Sequence, residues 1–259
     1  MMGTSLFIGH GSPMLALQDL PYTRELRSLG ERLGKPEAVI VFSAHWVSRG
    51  QAVTYTDGVY ETIHDFGGFP DELFQVQYPA RGSREIADDI HSLFAASGIA
   101  AERNASRGLD HGVWVLLRHM YPEADIPVIA LSVNPLLPPD QQYRIGEALA
   151  ELCERRNVVI IGSGATVHNF RAMDFGKPDQ ADAWAKEFDD WLIRHIEAWD
   201  TEALFDFLKQ APHARTATPD YEHFLPVFLA MGAGASNKKA KLLHQSYQYG
   251  SLSHLIIEY

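Results

Sequence analysis

Cysteine is almost absent: 259 residues contain one, Cys153. A single cysteine excludes an internal disulfide framework and any thiolate-rich zinc or iron–sulfur centre. Cys153 itself, on an expected helix, reads as a small buried hydrophobe. Positive charge is also scarce. Twenty-two Lys and Arg stand against 33 Asp and Glu, a net charge of −11. The chain therefore has no electrostatic footprint for a phosphate backbone, and nucleic acid is not an expected partner. No run reaches the roughly 18 consecutive apolar residues of a membrane span. The segment Met1–Pro13 has no basic stretch ahead of a long apolar core, so a secretory signal is not expected either. These absences point to a cytoplasmic setting, away from the membrane.

What is present is an ordinary globular composition, 46% hydrophobic and 21% charged, together with 12 histidines. Many imidazoles and one thiol leave open a nitrogen-ligated metal site or histidine acid–base chemistry. At about 150 residues per domain the length fits one large α/β domain or two small ones. No Gly/Ser/Pro-rich linker divides the chain, and one domain is the favoured reading.

Short β-branched runs bounded by turn residues predict buried strands at Leu6–Ile8, Ala38–Phe42, Ile126–Val133 and Val158–Ile161. Helical spacing predicts helices over Ser83–Phe94, with Ser83 as N-cap, over Pro139–Arg155 and over Ala181–Trp199. The aromatic stripe of the last, Trp184, Phe188 and Trp191, reads as core packing. Asp57–Arg81 is rich in Gly, Pro and aromatics and reads as a long ordered loop of the kind that lines binding sites. Lys238, Lys239 and Lys241 read as a solvated loop. Strands alternating with helices give an α/β fold with a mostly parallel central sheet flanked by helices.

Ligands of open α/β sheets bind outside the carboxyl ends of the strands. His10 directly follows the first predicted strand, His45 follows the second, and His168 follows the fourth after Gly162-Ser163-Gly164. One such histidine is more often a core or capping residue; three placed alike favour a shared site. Nitrogen donors without cysteine point to zinc or non-haem iron(II). The spacing is not HExxH, Gly9-His10-Gly11-Ser12 lacks a phosphate-loop lysine, and Gly162-Ser163-Gly164 is not a GxSxG elbow.

Several blocks carry a family resemblance: Phe7-Ile8-Gly9-His10-Gly11-Ser12-Pro13-Met14, Val41-Phe42-Ser43-Ala44-His45-Trp46, Ile63-His64-Asp65-Phe66-Gly67-Gly68-Phe69-Pro70, Leu109-Asp110-His111-Gly112, Val167-His168-Asn169 and Pro219-Asp220-Tyr221-Glu222-His223-Phe224-Leu225-Pro226. In this order they span nearly the whole chain and resemble the DOPA-type extradiol dioxygenases of the class III ring-cleaving superfamily. The resemblance implies one catalytic domain over residues 1–259 with a metal site at the strand ends. It implies metal ligation by His10, His45 and His223, with His168 beside them as base and as a fourth metal contact in a resting form. His111 would be a second-sphere acid or hydrogen-bond donor. The wider superfamily places a carboxylate at the third ligand position; Glu222 and His223 are adjacent here, and the expectation falls on His223. Fe(II) would serve ring cleavage, and Zn(II) is a further candidate for the bound metal. The substrates would be a catechol and O₂.

Further expectations are weaker. His64-Asp65-Phe66 in the long loop and Trp46 are candidates for the substrate wall, each against a packing role. Arg107 is a candidate partner for a substrate carboxylate, against an ion pair. Two other functions stay open at this point: a zinc-dependent hydrolase using His168 as base toward metal-bound water, and a non-catalytic metal-binding protein of the same fold.

Overall fold

The computed structural model describes residues 3–259. Its chain order begins β1 (Thr4–Gly9), α1 (Pro21–Leu33), β2 (Ala38–Val47), β3 (Gln51–Thr54), α2 (Arg84–Ala96), β4 (Ala101–Asn104), α3 (His111–Met120), β5 (Val128–Val133) and α4 (Pro139–Glu147). It continues with α5 (Ala150–Arg155), β6 (Val158–Gly164), α6 (Ala183–Glu197), α7 (Thr201–Phe205), α8 (Phe207–Gln210), α9 (Ala214–Ala217), α10 (Pro226–Ala233), β7 (Lys241–Gln248) and β8 (Leu252–Glu258). The eight strands form one sheet in the order β4-β3-β5-β2-β6-β1-β8-β7. The inner run β5-β2-β6-β1 is parallel throughout, and the β7–β8 hairpin closes one edge in antiparallel fashion. The predicted α/β class with a mostly parallel sheet and flanking helices is what the chain adopts.

The inner strands read as unbroken apolar runs because both faces of the sheet are covered. Alternation along each strand divides the core in two. Phe7, Ile40, Phe42 and Ile160 face α2, α4, α6 and α10. Leu6, Ile8, Val39, Val41 and Ile161 face α1 and α3. Each such side chain, fully buried, contributes about 1.5–3 kcal/mol. The α6 stripe packs as read: Phe188 and Trp191 are in the core and Trp184 lies against it. Ser83 caps α2, its Oγ accepting from the Ile86 amide. Cys153 is buried, and burial pushes its thiol up to about 12.

The differences lie at strand ends and edges. β2 does not stop at Phe42; after a register shift it runs on to Val47, so His45 belongs to the strand. β6 likewise continues through Gly164, since Ser163 and Gly164 pair with Ile8 and Gly9. The predicted 139–155 helix is two helices, separated by a turn at Ala148 and Leu149. Lys238 and Lys239 are exposed as expected, but Lys241 opens β7. No helix among the described residues is long and apolar enough to cross a membrane.

Candidate metal centre

Three elements deliver three imidazoles to one point. His10 is the first residue past β1, and its amide donates to the Gly164 carbonyl at 3.0 Å. Gly11, which follows, has φ +61°, and a Cβ there would meet Leu15 Cδ1 at 2.5 Å; glycine is required by both conformation and space. His45 comes from the extension of β2. His223 lies in the loop leading into α10, which starts at Pro226, a residue suited to the first helical turn. That loop is fastened to β6 by the Ala165 amide, which donates to the His223 carbonyl at 2.7 Å. A Cβ on Gly164 would sit 2.1 Å from this carbonyl, so the close approach also needs glycine.

Nε2 of His45 lies 3.0 Å from Nε2 of His10 and 3.2 Å from Nε2 of His223. Donor accounting fixes what these nitrogens carry. Ser163 Oγ donates its only proton to the Gly112 carbonyl, so it accepts from His10 Nδ1 at 3.0 Å. His223 Nδ1 donates to Glu222 Oε1 at 3.2 Å. His45 Nδ1 faces Asp65 Oδ2 at 3.3 Å. His10 and His223 therefore keep their protons on the outer nitrogen and turn a lone pair inward, and the carboxylate beside His45 Nδ1 favours the same tautomer there. Burial, reinforced by the neighbouring imidazoles, holds His10 well below the usual histidine range and His45 down at about 2, so both are neutral near pH 7. Three inward lone pairs repel unless a cation lies between them. Two nitrogens about 2.1 Å from one ion, at angles of about 90–109°, are about 3.0–3.4 Å apart. The observed separations fit, and His10, His45 and His223 form a group able to hold a metal ion. Glu222 is not turned toward that point; it supports the ring of His223.

His168 and His111 flank the triad. The His168 ring stacks on His223, centroids 3.7 Å apart and planes 8° apart, so it sits beside the three converging nitrogens and is not a member of that group. Burial and the adjacent His223 lower it to about 3, which keeps it in the proton-accepting form. His111 opens α3, with its ring centroid 3.9 Å from that of His45. Its Nδ1 and its amide both donate to Asp65 Oδ1, at 2.9 and 3.0 Å. Asp65 therefore ties His45, one of the three histidines able to hold an ion, to His111. Burial works against the Asp65 charge, but the bonds from the ring and the amide of His111 outweigh it and lower the carboxyl. The sequence offers Asp65 only as part of the His64-Asp65-Phe66 stretch, a candidate for the substrate wall; Asp65 and Phe66 do line the cavity, but the contacts of Asp65 with two imidazoles are not legible there.

The weaker candidates lie elsewhere. His64 Nε2 donates to the Val76 carbonyl at 3.0 Å, and its ring packs among Phe66, Phe74 and Trp114. It anchors the long loop and does not line the cavity above the triad. Trp46 is buried under the Arg107 guanidinium, 4.8 Å from the ring centroid, and is also absent from the cavity wall. Arg107 pairs with the buried Asp110 at 2.8 Å and donates to the His45 carbonyl at 3.2 Å. Asp110 in turn accepts from Ser43 Oγ at 2.6 Å. This buttress steadies the His45 backbone and leaves no guanidinium for a substrate. The cavity has a volume of about 560 Å³ and is floored by His10, His45, His111, His168 and His223.

The family model described as the catalytic LigB subunit of aromatic ring-opening dioxygenase matches residues 5–257. A 4,5-DOPA dioxygenase extradiol of Beta vulgaris is 42% identical over 96% of this chain and 94% of its own. The protein of that name from Escherichia coli K12 is 35% identical over 98% and 93%. A crystal structure of an uncharacterized protein from Escherichia coli K12 superimposes with a TM-score of 0.83, at 30% identity, over 100% of this chain and 99% of that one. With the matched model spanning almost every residue and a three-histidine metal group at the strand ends, the chain belongs to the LigB family of metal-dependent, aromatic ring-opening dioxygenases.

Proposed function

We propose that the protein cleaves a catechol by extradiol ring opening, with Fe(II) held by His10, His45 and His223, in the cytoplasm. The observation that carries this reading is the convergence of three Nε2 lone pairs on the floor of a cavity that His168 and His111 also face. A redox-active divalent ion in this triad supplies the electron exchange that makes dioxygen reactive toward a singlet substrate, which zinc does not offer. The neighbouring residues do the rest. His168, neutral and beside His223, accepts a proton from a catechol hydroxyl, a task suited to an imidazole. His111 has Nδ1 committed to Asp65, which leaves Nε2 as the atom facing the reaction. When Nε2 carries a proton, the Asp65 carboxylate across the ring balances the charge, and His111 hands that proton to the oxygen-derived group as the ring opens. The enclosing cavity positions the reactants, which removes much of the entropic cost of bringing them together.

DOPA, which the names of several relatives carry, is the first substrate to assay. The test is anaerobic loading with Fe(II), addition of a catechol and then air, with oxygen uptake and a yellow product as readouts. Absence of both across several catechols, with one iron bound per chain, would overturn the reading. The zinc-dependent hydrolase alternative predicts ester or amide hydrolysis with Zn(II) under nitrogen. No feature of the site favours it over ring opening.

A further inference from the structure

The cavity above the triad is larger than a catechol requires. About 150 Å³ suffices to enclose a benzene ring, and the volume here is about 560 Å³. Beyond the histidine floor the wall is aromatic and apolar: Phe66, Phe69, Phe170, Met173, Phe175 and Tyr249. Phe170 and Phe175 are 65% and 75% exposed. Solvent-facing phenylalanines that continue the wall of a cavity mark a binding surface more often than a structural one.

This wall is held in place. The segment bearing Phe170, Met173 and Phe175 is bonded to the β7–β8 turn. The Asn169 amide donates to the Ser251 carbonyl at 3.3 Å, the Asp174 amide to that of Tyr249 at 2.9 Å, and the Gly250 amide to that of Gln180 at 2.9 Å. Phe175 and Tyr249 then pack as a ring pair with centroids 5.1 Å apart.

Charge is missing from the same wall. Among the described residues lining it there is no Lys or Arg, and its one carboxylate, Asp65, is occupied by His45 and His111. Arg107 is held by Asp110, and Lys177 by Asp182. Arg171 is exposed and outside the lining. The ammonium and carboxylate of an amino-acid arm would lose hydration here without gaining a counter-charge. An uncharged aryl arm would stack on rings already in position.

We infer that the preferred substrate is a catechol bearing an uncharged, aryl-containing arm, bound against Phe170, Phe175 and Tyr249. This rests on the ring-opening reading for the position of the diol, and binding can be measured without turnover. Calorimetry under nitrogen on the Fe(II)-loaded protein would compare 4-phenylcatechol, catechol and DOPA. The expected order is 4-phenylcatechol at least about 10-fold tighter than catechol, with DOPA no tighter than catechol. In Phe175→Ala, whose side chain can be removed without opening the core, the ratio of kcat/KM for 4-phenylcatechol over catechol is expected to fall several-fold. DOPA binding more tightly than 4-phenylcatechol, or a ratio unmoved in Phe175→Ala and in Phe170→Ala, would overturn the inference. The binding order appearing without ring opening would support the wall and defeat the ring-opening reading. Ring opening with the order reversed would do the opposite.

Discussion

Glu222 Oε1 accepts from Nδ1 of His223 at 3.2 Å, on the side of the ring away from the triad. This bond, the first cause of the lowered Glu222 carboxyl, fixes the tautomer that turns the His223 lone pair inward. Glu222→Ala is therefore expected to retain the fold and weaken metal binding by about 10–100-fold. Glu222→Gln keeps an acceptor without its charge and should fall between. Competition against a chelator of known affinity measures both. Equal affinity in Glu222→Ala and the parent would remove Glu222 from this role.

Asp65 joins His45, one of the three histidines able to hold a metal ion, to His111, so under the proposed function its loss should act twice. Asp65→Ala frees the His45 ring and should lower metal affinity by about 10–100-fold. At saturating metal a deficit in kcat should remain, because His111 has lost both bonds to the Asp65 carboxylate. If excess metal restores full kcat, Asp65 acts through His45 alone.

Under the proposed function, the stacked placement of His168 beside His223 predicts a base that is not a ligand. His168→Gln is expected to bind one metal ion per chain with little loss of affinity and to lose about 10²–10⁴-fold in kcat. His10→Ala should lose the metal itself. If His168→Gln and His10→Ala lose metal to the same degree, His168 is a ligand in the working enzyme.

How much of this was visible in the sequence follows from what each residue depends on. His10 and His45 stood out because buried parallel strands are continuous apolar runs, and a polar residue at the end of such a run is conspicuous. The continuation of β2 past His45 was hidden, since Ser43-Ala44-His45 looks like a turn and becomes strand only through its neighbours. His223 lies in a loop without periodicity and reaches the triad through a backbone bond to the end of β6. Only the family resemblance located it. Asp65 carried less signal still, because no local pattern says which carboxylate of a long loop will bond two imidazoles. The edge strands were missed for related reasons: β3 and β4 are four residues each, and β7 (KLLHQSYQ) is largely polar.

Buried histidines set the response of the metal-free protein to pH. Burial lowers His168 and His254 to about 3 and His45 to about 2, with His10 also well below its usual range. An unfolded histidine titrates near 6.5. Between about pH 4 and 6.5 the unfolded chain therefore binds protons that the native protein does not, and stability rises with pH, by up to about 1.4 kcal/mol per pH unit for each such group. Asp189 opposes them. Burial pushes its carboxyl up to about 7, against the lowering effect of the bond from the Tyr247 hydroxyl. The native protein keeps that proton while an unfolded aspartate has released it, so this contribution is lost as pH rises from about 4 to 7. Four histidines against one aspartate give a net rise up to about pH 6.5, then a plateau. Asp189→Asn stays neutral in both states and should be more stable than the parent at pH 8, with the gap closing as pH falls toward 4. Urea unfolding in chelator across pH 4.5–8.5 reads both curves. A gap that stays constant with pH would show that Asp189 is ionised throughout that range in the native protein.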